Sequence, residues 1–215
     1  MISIGKCPYR ISFLGGGSDL DWFVNDYNEG FSIGFSLDKY SYSVIKQKDK
    51  NSDHGMLNYS TREKYHKIDH ITHPLIRECL KYLNIQRFIE FSSYGFSTGG
   101  GGLGGSSSFL LSFISSINSS FKFKMTREEM IKIACEIEIG VLGKSIGRQD
   151  QYLCGNGGIN AFSYKKKGIV ESIKLTDTQF KVIQETTNNL ILIPTFRSRY
   201  ADNILSKFKD SKESI

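Results

Sequence analysis

Residues 96–109, FSTGGGGLGGSSSF, set four glycines, Leu103, two more glycines and three serines directly before an apolar run. Glycine lets the main chain take positive φ and lets a ligand approach it closely. The first turn of a helix adds free N–H groups at the positive end of its dipole. Together these features predict a phosphate cradle built from Gly100, Gly101, Gly102, Leu103, Gly104 and Gly105. Ser106, Ser107 and Ser108 add hydroxyls suited to a phosphate or a hydrated magnesium ion. A flexible linker is the other use of such glycines, but linkers do not usually have a strand and an apolar helix on either side.

Two other phosphate motifs fail on spacing. Gly99, Gly101 and Gly104 satisfy GxGxxG, but a dinucleotide fold needs this loop after its first strand and an acid at the end of the next strand about 20 residues on. Here that region is a helix cap around Glu128. Gly143, Lys144 and Ser145 resemble the end of a P-loop, yet Glu138 stands where that motif requires its first glycine.

The elements that must position the loop follow from periodicity. Segments 31–47 and 87–94 have the aromatic and β-branched content of strands, and 73–84 reads as a helix. Phe109, Leu110, Phe113, Ile114 and Ile117 recur at helical spacing, with serines expected on the opposite face. A second helix opens on the capping-box pair Thr126 and Glu129 and carries the stripe Met130, Ala134, Ile137 and Val141. Glu138 projects beside that stripe, whereas Glu136 points elsewhere, and a carboxylate on such a face needs a partner. The stretch GKSIGRQDQYLCGNGG, 143–158, is glycine-punctuated and too polar to continue the helix, so it reads as a loop. Strands are expected at 159–164, 169–175 and 189–194, with Lys165, Lys166 and Lys167 in a solvated hairpin turn before Gly168. Residues 201–215 read as the start of a helix that runs out into charge.

A chain of 215 residues with 39% hydrophobic residues can bury a real core. Cys7, Cys79, Cys135 and Cys154 show no CxxC spacing, which points to reduced, buried thiols rather than zinc or disulfides. There is no signal-peptide core and no run long enough to cross a bilayer, so the expected compartment is the cytoplasm, with no membrane partner. The net charge of +6 comes from scattered Lys and Arg without a basic and aromatic surface pattern. That distribution suits small anions and argues against nucleic acid.

The loop GGGGLGGSSS resembles the glycine-serine motif of the GHMP kinases, the superfamily of galactokinase, homoserine kinase and mevalonate kinase. PYRISFLGGGSDLDWF and EIGVLGKSIGRQDQYLCGNGGIN resemble two further family segments in the family's order, most like its heptose 7-phosphate kinase branch. The resemblance implies an α+β fold: the GHMP N-terminal lobe, ribosomal protein S5 domain 2-like, with a mixed or antiparallel sheet packed with helices. It implies an ATP-binding and catalytic domain over 1–195, the start of a truncated C-terminal domain over 196–215, and a ferredoxin-like second lobe that is largely missing.

The same resemblance implies roles. Asp150 matches the catalytic aspartate, Arg10 the arginine near the transferred phosphate, and Glu138 the magnesium-binding glutamate, with Ser106 as the hydroxyl ligand. Asp19, with Gly16, Gly17 and Ser18, matches the sugar-binding segment, and Arg199 lies in a stretch matching one that contacts substrate phosphate. The implied cofactors are ATP and magnesium. The implied reaction is phosphorylation of the anomeric hydroxyl of D-glycero-D-manno-heptose 7-phosphate to the 1,7-bisphosphate, for surface polysaccharide. A catalytically silent fragment that binds only nucleotide or sugar phosphate is the competing reading, and galactose, fucose or an isoprenoid alcohol are competing acceptors. Phe96, Ser97, Thr98 and Gly99 replace the family's proline pair, so the empty loop is expected to be looser. Self-association through apolar surface is expected where a second lobe would pack.

Overall fold

The computed structural model describes residues 1–96 and 101–193. Its strands are β1 (Ile2–Leu14), β2 (Glu29–Gln47), β3 (Gly55–Asn58), β4 (Arg62–Tyr65), β5 (Ile89–Tyr94), β6 (Ile159–Lys165) and β7 (Ile169–Ile173). Its helices are α1 (Asp21–Tyr27), α2 (Pro74–Tyr82), α3 (Gly105–Phe121), α4 (Arg127–Cys135), α5 (Gln149–Asn156) and α6 (Asp177–Asn188). The residues 97–100, which include Gly100, and 194–215, which include Arg199, lie outside the described residues, as does the expected terminal helix.

The strands form one mixed sheet organised on the 19-residue β2. β1 pairs antiparallel along β2 from Ile33 to Lys46. The opposite edge of β2 takes β6 against Glu29–Phe35 and β5 against Tyr42–Gln47. β3 joins β5 in parallel and turns back as β4, while β7 closes a hairpin with β6. The α+β architecture agrees with the sequence. The turn between β6 and β7 contains Lys166 and Lys167, as expected, with Lys167 at φ 62°, while Lys165 is the last residue of β6.

Helix α3 lies on β1 and β2, and its apolar residues Leu110, Phe113, Ile114 and Ile117 are all buried. The serines Ser107, Ser108, Ser112, Ser116 and Ser120 are buried too, while Ser106 and Ser119 are exposed, so the face opposite the apolar stripe is largely covered. Ser112 Oγ lies 2.8 Å from Ser43 Oγ of β2, and Ser108 Oγ donates to the Cys7 carbonyl of β1 at 2.9 Å. Ser116 Oγ satisfies itself on the Phe113 carbonyl. Small hydroxyl side chains that bond locally let the helix settle against the sheet without stranding polar atoms. The approach is closest at Gly5, where a Cβ would fall 1.9 Å from the Ser112 carbonyl oxygen.

Three expectations are corrected. Residues 143–158 are not all loop, because Gln149–Asn156 forms α5. Gln151, Tyr152, Leu153 and Cys154 are buried in succession, so this helix has no amphipathic stripe to betray it. Helix α6 was not expected, although Thr176 and Gln179 form a complete capping box at its start. Asn189 then caps α6, and 190–193 pair with no strand among the described residues.

Candidate functional site

The glycine loop is placed by the start of α3. Gly104 is the residue before the helix and sits at φ 69°, in the left-handed region. A Cβ there would lie 2.9 Å from Arg10 Cγ and 3.1 Å from Cys154 Sγ, so both conformation and space require glycine. Arg10, on β1, ties the loop down. Its main-chain N–H donates to the Leu103 carbonyl at 3.0 Å and its Nη1 to the Gly102 carbonyl at 2.5 Å.

The same guanidinium reaches α5. Arg10 Nε donates to Asp150 Oδ1 at 2.7 Å, and Nη2 lies 2.5 Å from that oxygen. Arg10 is buried, and Asp150 sits in the first turn of α5 rather than in a loop. The glycine loop, the arginine and the aspartate singled out in the sequence are therefore one connected unit.

Glu138 lies in a π-helical turn, Glu136–Val141, that continues α4. In such a turn the hydrogen bonds run five residues back, as from Leu142 N–H to the Ile137 carbonyl at 3.0 Å. Ile137 and Glu138 stay buried, while Val141, expected in the apolar stripe, turns outward. The Glu138 carboxylate is wholly buried and accepts four hydrogen bonds of 2.7 Å: Oε1 from Ser106 Oγ and Lys144 Nζ, Oε2 from Ser107 Oγ and Gln151 Nε2. Ser108 faces the sheet instead, one helical step too far round to join them. The partner that a buried carboxylate requires is thus supplied by α3, α5 and Lys144 together.

The donor set fits magnesium. Glu138 Oε1 and Ser106 Oγ are hard oxygens within reach of one ion, and a cation, the Lys144 ammonium, already rests on that carboxylate oxygen. Among the described residues no three His, Cys, Asp or Glu side chains gather as a metal cage.

The glycine turn before α1 packs against the start of α5. Asp19 is 2% exposed and accepts from Gly17 N–H at 3.1 Å through Oδ1 and from Gln149 N–H at 2.9 Å through Oδ2. Burial raises its pKa above the ordinary aspartate value, against the opposing effect of the Gln149 N–H, and the Asp150 charge adds to the rise. Both Asp19 oxygens are thus engaged by main-chain donors, so this acid caps α5. Ser18 Oγ is likewise committed, donating to the Gly15 and Phe31 carbonyls and accepting from Phe31 N–H. Asp21 pairs with Arg148 immediately before α5. Gly16 and Gly17 do meet the glycine loop: with Arg10, Ser12, Gly101, Gly102, Leu103 and Gln149 they line a cleft of about 460 Å³. A second cavity of about 530 Å³, between Lys6, Asp38, Arg127 and Gly157, touches none of Arg10, Glu138 and Asp150.

Sequence reasoning left out Ser107 as a Glu138 partner, Lys144 and Gln151. Gln151 follows Asp150 directly, so the QDQ segment sends one side chain toward Arg10 and the next to Glu138.

Known proteins resemble this chain in sequence and in fold. Residues 75–158 match the family model described as GHMP kinases N terminal domain. The chain is 25% identical to the D-glycero-alpha-D-manno-heptose 7-phosphate kinase of Campylobacter jejuni, over 97% of this chain and 62% of that protein. Its fold is similar to a D-glycero-D-manno-heptose 1-phosphate kinase from Bacteroides thetaiotaomicron, with a TM-score of 0.72 at 23% identity, over 82% of this chain and 60% of the other. A galactokinase of Lactococcus lactis complexed with galactose is similar at a TM-score of 0.63 and 16% identity, over 90% of this chain and 59% of the other. The chain spans about three fifths of the length of these relatives. Loop, capped helix, buried carboxylate and α5 all fall within the residues that match the GHMP kinases N terminal domain.

Proposed function

We propose that the chain is the ATP-binding and catalytic portion of a sugar kinase, residues 1–195, that transfers the γ-phosphoryl of ATP to the anomeric hydroxyl of D-glycero-D-manno-heptose 7-phosphate. The product would be the 1,7-bisphosphate, made in the cytoplasm for nucleotide-activated heptose and surface polysaccharide. The observation that carries this reading is Arg10, whose one guanidinium joins a carbonyl of the glycine loop to Asp150.

Phosphoryl transfer needs the triphosphate held, its developing charge balanced and the acceptor hydroxyl oriented. The loop and the first turn of α3 hold phosphate through main-chain N–H groups. Arg10 supplies fixed positive charge beside the transferred group. Asp150 directs the sugar hydroxyl and takes its proton through Oδ2, which has no hydrogen-bond partner among the described residues. Magnesium, held by Glu138 and Ser106, would neutralise charge on the phosphates. Gly16 and Gly17 let the sugar approach the main chain across the cleft.

The test is phosphorus NMR of the purified chain with Mg-ATP and heptose 7-phosphate, beside Asp150→Asn. A new anomeric phosphate that vanishes in the variant supports the reading, and galactose and fucose in parallel define the acceptor. A second reading is binding of nucleotide or sugar phosphate without turnover. ATP binding with no product from any sugar would establish it.

A further inference from the structure

The two oxygens of Glu138 are held differently. Oε2 is fixed by Ser107 and Gln151, both without exposed surface, and neither donor carries charge. Oε1 is held by Ser106, which is exposed, and by Lys144, whose side chain is 25% exposed. One side of the carboxylate is therefore locked and the other faces exchangeable partners. The locked side is well determined, since turning the Gln151 amide over would set its oxygen against the carboxylate. Gln151 Oε1 itself is buried without a partner, which shows that the amide is oriented for Glu138 alone.

Lys144 reaches Oε1 because the chain doubles back over Glu138. After the π-helical turn, Lys144 N–H donates to the Glu138 carbonyl six residues earlier, at 3.1 Å. Main chain and side chain of one residue thus both close on Glu138. An ionised carboxylate with no exposed surface needs a counter-charge, and Lys144 is the only cation paired with it among the described residues. A divalent ion held here would take Glu138 Oε1 as its carboxylate ligand, with Ser106 supplying a hydroxyl. The ammonium at 2.7 Å from that same oxygen competes for the place.

We propose that Lys144 is a resident counterion: it holds Glu138 in the metal-binding geometry while no metal is bound, and leaves Oε1 through its solvent side when the divalent ion enters. This rests on the reading of Glu138 and Ser106 as the magnesium ligands. Lys144 acts as a positioning residue, and its competition is a binding property readable without turnover.

The experiment titrates Mn²⁺ into the purified chain without nucleotide and follows free Mn²⁺ by electron paramagnetic resonance. Wild type is compared with Lys144→Gln, Lys144→Met and Glu138→Gln, each checked by circular dichroism. Lys144→Gln keeps a hydrogen-bond donor and removes only the charge, so it tests the idea even where Lys144→Met fails to fold. Removal of the competing charge is expected to tighten Mn²⁺ binding by about tenfold or more, within the range seen when groups around a metal are altered. Folded Lys144 variants that bind Mn²⁺ as wild type does, while Glu138→Gln weakens binding, would overturn the counterion role and leave the metal site standing. Unchanged binding in Glu138→Gln would instead remove Glu138 as a ligand, and the counterion role with it.

Discussion

Arg10 places both Nε and Nη2 on a single oxygen of Asp150, Oδ1, and so leaves Oδ2 without a hydrogen-bond partner among the described residues. An arginine that engaged both oxygens in the usual fork would have blocked the carboxylate. Asp150→Asn keeps the shape and removes the base, so turnover is expected to fall by about 10²- to 10⁴-fold with little change in thermal stability. Arg10→Lys cannot span Asp150 and Gly102 together, because it lacks the planar fork. Steady-state kinetics should show kcat falling and the KM for ATP rising, and normal values for both would remove Arg10 from the site.

Glu138→Gln removes the negative charge from a buried position served by four donors. The magnesium concentration for half-maximal rate should rise by at least about tenfold, with the sugar KM nearly constant. An unchanged magnesium dependence would count against the assignment.

Gly5→Ala would drive a methyl group into the Ser112 carbonyl, a backbone atom that cannot swing aside. Helix α3 must lift from β1. The expected cost is toward the upper end of the ~1–3 kcal/mol typical of overpacking. Urea unfolding reads the loss, and calorimetry should show weaker nucleotide binding because the glycine loop starts α3.

Asp19 gives a pH signature. Its folded pKa is raised by burial, so the ionised form is penalised in the fold above that pKa. The penalty is relieved as pH falls through the folded value and is gone below the ordinary value of 3.8. Asp19→Asn abolishes this term while keeping an acceptor oxygen. The urea midpoint of wild type should therefore gain on that of the variant as pH is lowered from neutral to about 4. A constant difference would mean that Asp19 titrates normally.

Ile191 and Ile193 are 85% and 77% exposed, and Leu190 and Leu192 beside them are exposed as well. Such a run favours association. Sedimentation velocity is expected to show a coefficient that rises with concentration, and Ile191→Ser with Ile193→Ser should abolish the rise.

The glycine loop was legible because positive φ and close approach leave a compositional mark, as at Gly104. The α3 and α4 helices were legible from periodicity and from the Thr126–Glu129 box, which forms as expected. The buried serine face was not. Its burial depends on Gly5, about a hundred residues away, and serine alone says nothing of what it faces. Helix α5 was missed because four successive buried residues erase the alternation that marks a surface helix. Lys144 was missed as a partner of Glu138 because residues six apart do not share a face of an α-helix, and only the π-helical turn brings them together.

That turn also sets what kinds of change the segment tolerates. It stores one residue more than an α-helical turn would hold, and an α-helix rotates about 100° per residue. Losing a residue between Ile139 and Leu142 would swing Gly143, whose φ of 62° turns the chain off the helix, and Lys144 after it, that far round the axis from Glu138. Along this stretch Glu136 and Val141 are exposed and replaceable, whereas Ile139 and Leu142 pack against the core, Gly143 needs its φ of 62°, and the length is fixed as well. In a lineage of such chains, substitutions should accumulate at Glu136 and Val141 while insertions and deletions are purged.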